Sequence, residues 1–397
     1  MVKIKVDCSI LIILLGILVF FFPTSIHGNP LDSKSMIVLW GAGTVILLLL
    51  MYLNKMDRKL SIYTMILGGY LFAATYMIIF RNTYFRFSLA RVAPIVCCLC
   101  VFTMNLKITY QERQRVLKFY RLVLNAIFAI NIVLLLRATP IREFIIDFYT
   151  QYDQVITAHQ ISTGKPISFF GVHNIASFFY TAFFLICMEC FYREKQKRYV
   201  YYMIGLFLCN LLLKSTTSFG FMCLMVLMVF TYTTKITRKK IWMFFGTVFI
   251  AVLFLFSPLF TAYISTLFSK TNGFIPRYVN GVQTLYKNNF IELSKNPLGI
   301  GFTISDSLEY PLYYTDSGYF IYLTMGNLCL LLGIYYLFKK YISKYMGGQK
   351  GLYLFLLYLL FDLGGISFLF FRTIFFLPFI IYLLAPTEVL DRKGSYE

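Results

Sequence analysis

The chain is built of long apolar blocks, about 13 to 26 residues each, joined by short polar connections that are mostly basic. Roughly 20 residues of helix cross a hydrocarbon core. In lipid the backbone has to satisfy its own hydrogen bonds, so blocks of this length predict membrane-spanning helices. Twelve are read, at about 8–22, 35–53, 61–80, 88–106, 119–136, 167–192, 199–213, 215–232, 241–261, 317–338, 352–370 and 373–385. Hydrophobic residues make up 59% of the 397 and charged ones 14%. This composition excludes a soluble globule and predicts one all-α, polytopic membrane domain over 1–397. The first block follows Lys3 and Lys5 without a small-residue cleavage site and reads as a retained span.

A formal net charge of +20 is compatible with nucleic acid, but the charge distribution points elsewhere. With the N-terminus inside and spans alternating, the basic runs fall on the inner side. They are Lys55, Arg58 and Lys59; Arg113, Arg115 and Lys118; Arg193, Lys195, Lys197 and Arg198; Arg238, Lys239 and Lys240; and Lys339, Lys340, Lys344 and Lys350. That is the positive-inside pattern, and it predicts both termini in the cytoplasm, no nucleic acid, and membrane lipids as partners. All nine cysteines lie inside predicted spans. Cys187 and Cys190, although spaced CxxC, read as small apolar packing residues.

The inner connections hold no glycine-rich phosphate loop and no paired-aspartate nucleotide site. The polar residues gather on the outer side instead. His27, His159 and His173 fall there, in no spacing that would build a metal site, so neither metal nor cofactor is expected. Two outer segments are long, about 137–166 and 262–316. In the second, Tyr278, Val282, Leu285, Tyr286, Phe290 and Leu293 recur at helical spacing and predict an amphipathic helix. It ends before Pro297, where "NPLGIG" makes a turn.

Cations also collect at the outer helix ends: Arg81, Arg86 and Arg91, then Arg137, Arg142, Lys165, Lys214 and Arg372. Arg91 lies within a predicted span, where a charge is costly and faces protein or an aqueous cavity. Guanidinium forks bind phosphate, so the set points to a lipid phosphate or pyrophosphate as substrate. Asp362, a carboxylate deep in a span, is expected to pair with an arginine, with a place in the site as the alternative.

Four stretches occur in order: "GVHNIASFF" (171–179), "LLLKSTTSFGFMCLMV" (211–226), "PRYVNGVQTLYKNNFIELSKNPLGIGF" (276–302) and "TDSGYFIYLTMGNLCLLLGIYYL" (315–337). This succession resembles the Wzy-type polysaccharide polymerases of bacterial capsule and O-antigen synthesis, and the related O-antigen ligases. The resemblance covers about 165–340. It implies a multi-pass enzyme of the bacterial cytoplasmic membrane that faces outward. Such an enzyme transfers a growing glycan from undecaprenyl pyrophosphate onto a lipid-linked repeat unit, beside a flippase and a chain-length regulator. It also implies roles for single residues. Arg277 holds the pyrophosphate, with Arg91 or Lys214 as further cations. His173 and Asn174 form a polar pair at a span entry, and Asp316 or His173 is the base. Ligases commonly carry a histidine where Asp316 stands. An aspartate serves as a base but cannot mimic an imidazolium, which counts against ligase activity. A transporter or flippase of lipid-linked glycan is the alternative from another class; no repeat at the half-length supports it.

Overall fold

The computed structural model describes residues 7–24, 33–81, 84–136, 139–149, 154–232, 297–304 and 317–386, with the single positions 246, 261, 265 and 279. The described chain is mostly helical. In order it forms α1 (Cys8–Phe21), α2 (Lys34–Leu53), α3 (Arg58–Arg81), the two-residue strand β1 (Arg86–Phe87), α4 (Leu89–Thr103), α5 (Tyr110–Leu135), α6 (Thr139–Tyr149) and α7 (Gln154–Ser162). Then follow α8 (His173–Glu194), α9 (Arg198–Leu212), α10 (Thr216–Thr231), β2 (Thr303–Ile304), α11 (Gly318–Tyr345), α12 (Gly348–Phe361) and α13 (Phe371–Leu384). Five of these, α2, α3, α5, α8 and α11, are long and apolar enough to cross a membrane, and six shorter helices are also apolar. The periphery is apolar and exposed, as at Val38 and Val45 of α2 and Met65, Ile66 and Phe80 of α3. An apolar surface this extensive belongs against lipid.

Local signals explain the helix starts. Asp7 and Ser33 accept backbone N–H groups at the starts of α1 and α2. Thr109 with Glu112, and Ser215 with Ser218, close reciprocal capping boxes on α5 and α10. The eleventh predicted span, 352–370, ends early: α12 stops at Phe361, and Asp362–Phe370 is a loop. Asp362 is fully buried and pairs with no arginine among the described residues. It accepts Ser367 N (2.5 Å), Ser367 Oγ (2.7 Å) and Tyr322 Oη (3.3 Å), and also the Tyr335 hydroxyl. Three neutral side chains and one N–H satisfy the carboxylate where the sequence predicts an ion pair, so its role is to fix the loop.

All fourteen residues of α13 are buried, and charged side chains hold both of its ends. At the lower end, which also carries Asp7, Asn54 and Arg193, the last carbonyls accept from three cations. Arg113 reaches Leu383 O (3.1 Å), Arg193 reaches Leu384 O and Ala385 O (3.0 and 3.1 Å), and Lys350 reaches Leu384 O (3.3 Å). Cations at a helix C-terminus satisfy its orphan carbonyls and its dipole together. Glu189, buried inside α8, balances two of them, accepting from Lys350 (2.9 Å) and from Arg193.

The tenth predicted span is not one straight helix. α11 is broken at Gly326 (φ −148°, ψ 23°) and Asn327 (φ 52°, ψ −159°). A straight helix would put Tyr319 and Tyr335 about 24 Å apart along its axis. Their ring centroids are 5.9 Å apart, so the first segment folds back over the second. The "NPLGIG" turn fills the break. Ile300 N and Gly301 N donate to Thr324 O (3.0 Å) and Met325 O (2.7 Å). The Tyr70 hydroxyl of α3 is shared between Leu298 O and Gly326 O (2.9 and 3.0 Å), and Asn327 Nδ2 reaches Pro297 O (3.1 Å). Non-helical backbone within a bundle of this kind persists only where protein groups satisfy it, and here they do. The sequence places this turn in the outer 262–316 segment, and in the structure its Ile300, Phe302 and Thr303 are buried. β2 then pairs antiparallel with β1, Arg86 opposite Ile304, tying the turn to the α3–α4 connection.

The fifth span begins earlier than its apolar block, because the basic first turns of α5 continue the helix. Apart from positions 246, 261 and 279, the ninth predicted span, 241–261, and the amphipathic helix around 278–293 lie outside the described residues.

Candidate functional site

Helix lengths create the site. The lower ends of the helices are tied together: Asn105 N bonds Lys55 O, Lys107 N bonds Asn54 Oδ1, and Lys344 bonds Asp57 (2.9 Å). From that common level α12 and α13 rise 14 residues each, whereas α3 has 24 and α5 has 26. At 1.5 Å per residue the loop between α12 and α13 ends roughly 15 Å below the tops of the long helices, tilt aside. Among the described residues, the half-buried Leu363–Ile366 form the floor of a recess.

Three of the four quoted motifs meet on that floor. Asn174, in the first turn of α8, donates Nδ2 to Gly364 O (3.1 Å), which fixes which way its amide points. Thr217 of α10 reaches the same glycine, since a Cβ at Gly364 would lie 3.6 Å from Thr217 Oγ1 and 3.9 Å from Asn174 Nδ2. The fourth motif opens here as well: Gly318 N donates to Asp362 O (3.0 Å) and Gly365 O (2.7 Å), and Ser317 Oγ to Asp362 O (2.9 Å). One turn deeper, Ser177 Oγ donates to Asn210 Oδ1 (2.6 Å), and Asn210 Nδ2 donates to Thr181 Oγ1 (3.2 Å), locking α8 to α9. "NPLGIG" joins the group through the first segment of α11.

His173 opens α8 beside Asn174 and is half-buried; its backbone N–H donates to Gln160 Oε1 of α7 (2.8 Å). Lys214 is exposed at the start of α10, with φ 48°. Lys165, ahead of α8, is half-buried and has its pKa lowered, first by burial and then by the positive charge of Lys214. Neither lysine has a carboxylate partner among the described residues. Two cations that repel each other above a polar floor favour an anion between them.

The other predicted residues divide. Arg91 is half-buried in the first turn of α4, beside β1 and β2, where Ser88 N bonds Phe302 O (2.9 Å). Arg372 does not belong to a phosphate-binding rim. It is 1% exposed, and its guanidinium donates to Thr24 Oγ1 (2.9 Å), Phe22 O (2.9 Å) and Phe169 O (3.0 Å). Arg277 and Asp316 lie outside the described residues. Gln160 and Thr217 do not stand out in the sequence. Within the "STTS" run Ser215 and Ser218 cap the helix, which leaves Thr217 for the floor, but only the position of Gly364 reveals this.

No family model, no curated protein and no solved structure matches the chain.

Proposed function

We propose that the chain is a membrane glycosyltransferase that polymerises undecaprenyl-pyrophosphate-linked oligosaccharide repeats, with the upper, recessed end of the bundle facing outward. The observation that carries this reading is the convergence of separated motifs on the 362–366 loop, with two lysines nearby that lack carboxylate partners among the described residues. A recess that opens at a membrane face suits a lipid-borne anion and a polar glycan together. In the reaction a base removes the acceptor hydroxyl proton, and the oxygen attacks the anomeric carbon. The bond to pyrophosphate breaks, and the leaving group departs with the electron pair. His173 or Asp316 takes the proton. Arg277, with Lys214 or Arg91, stabilises the charge on the leaving group, and Lys165 is added to that set.

Purified protein given synthetic lipid-pyrophosphate repeats is expected to lengthen them without nucleotide. Arg277→Ala should lower the rate by roughly 10²–10³-fold, the usual cost of one well-placed donor. Normal polymer from both Arg277→Ala and His173→Ala would overturn the reading.

A second reading is favoured by one feature. Broken helices packed against non-helical backbone are a hallmark of transporters, and α11 with "NPLGIG" has that form. A flippase would move lipid-linked repeats across vesicles without lengthening them, so product length separates the two.

A further inference from the structure

The lower corner between α11 and α12 carries a groove that the reaction above leaves unused. It encloses about 250 Å³, with Lys339 and Ser343 at its polar end and Ile342, Met346, Leu352 and Phe355 along its walls. Glycines shape this corner. Gly348 turns the chain at φ 67°, and a Cβ at Gly351 would lie 2.9 Å from Met346 O. Gly347 is the N-cap of α12 and has no side chain to satisfy the first N–H groups.

Charge selects the occupant. Nearby lysines are engaged: Lys344 pairs with Asp57 (2.9 Å), Lys350 pairs with Glu189 (2.9 Å), and Lys340 lies 5.5 Å over the Tyr336 ring. Lys339 has no carboxylate partner among the described residues. The groove opens on an apolar flank, where its wall residue Leu352 is 52% exposed. An anion-seeking end continuous with an apolar flank fits an amphiphile with a negatively charged head. We propose that this groove binds an anionic phospholipid. Its phosphate lies against Lys339 and the first turn of α12, and an acyl chain lies along Ile342, Leu352 and Phe355.

The test uses the full chain, purified in detergent and stripped of lipid. Its melting temperature is followed as phosphatidylglycerol, phosphatidylcholine or inorganic phosphate is added. A ligand that binds only the folded state raises the midpoint. Phosphatidylglycerol is expected to raise it and the other two are not. Lys339→Gln should weaken the apparent affinity about tenfold, as for one lost charge-assisted hydrogen bond. Gly347→Leu provides an independent variant, because a side chain there meets nothing within 4 Å and would cover the N–H groups. An equal response to phosphatidylcholine, a full response to free phosphate, or an unchanged response in both variants would overturn the proposal. None of these outcomes depends on the reaction at the upper end.

Discussion

Arg372 and Lys214 carry the same charge at the same end of the bundle and serve opposite purposes. Burial separates them: Arg372 is sealed among the carbonyls of Phe22 and Phe169, whereas Lys214 is exposed beside Lys165. Arg372→Met should therefore act on stability, leaving buried oxygens without donors at a cost on the order of 3 kcal/mol. A lowered melting temperature and less membrane-inserted protein would register this. Lys214→Gln should leave the melting temperature unchanged and raise the KM for the lipid-pyrophosphate repeat about tenfold, the effect of losing one charge contact. A fall in kcat with KM intact would remove Lys214 from substrate binding. Sequence alone could name these cations but not sort them, because burial and carbonyl partners depend on elements more than 200 residues apart. His173 and Asn174 were legible, since a histidine–asparagine pair at the start of an apolar block breaks the hydropathy around it.

The "NPLGIG" turn and the break in α11 depend on each other. Each supplies donors to the other's orphan carbonyls, and both need backbone where a side chain would intrude. Gly301 is the tightest point: φ is 60°, and a Cβ would lie 2.5 Å from Thr75 N and 2.7 Å from Leu71 O. Gly301→Ala combines the left-handed penalty with overpacking and should cost on the order of 3 kcal/mol, read as a lower melting temperature. Gly41→Ala, on a helix where nothing lies within 4 Å, is the matched control and should be neutral or slightly stabilising. Equal effects would mean that the turn is only loosely seated. Hydropathy located the helices well: α1, α2, α9 and α10 fall within a residue of the predicted spans. It missed the break because "MGNLCL" is as apolar as its surroundings, and it overran α12 because Asp362 is hidden among phenylalanines and leucines. Two of its four partners are tyrosines twenty-seven or more residues away, which leave no local signal.

For the whole molecule, ion pairs report orientation. Among the described residues every one lies at the lower end: Asp7 with Arg115, Asp57 with Lys344, Glu189 with Arg193 and Lys350, and Glu194 with Arg198. The same end holds the basic connections that the positive-inside rule assigns to the cytoplasm. The upper end instead holds His159, Lys165, His173 and Lys214 around the recess. If the proposed reaction occurs there, the recess has to face the outer aqueous phase. Single cysteines at His159 and Lys214, both exposed, should then react with a membrane-impermeant maleimide added to intact cells. A cysteine at Lys195, exposed at the opposite end, should react only after the membrane is opened. The native thiols offer little background. Seven of the nine are buried or half-buried, and the exposed Cys223 and Cys329 lie within apolar helices. Labelling of the Lys195 position from outside, with Lys214 protected, would invert the molecule. The recess would then face the cytoplasm, and the lipid-pyrophosphate reaction would lose its site.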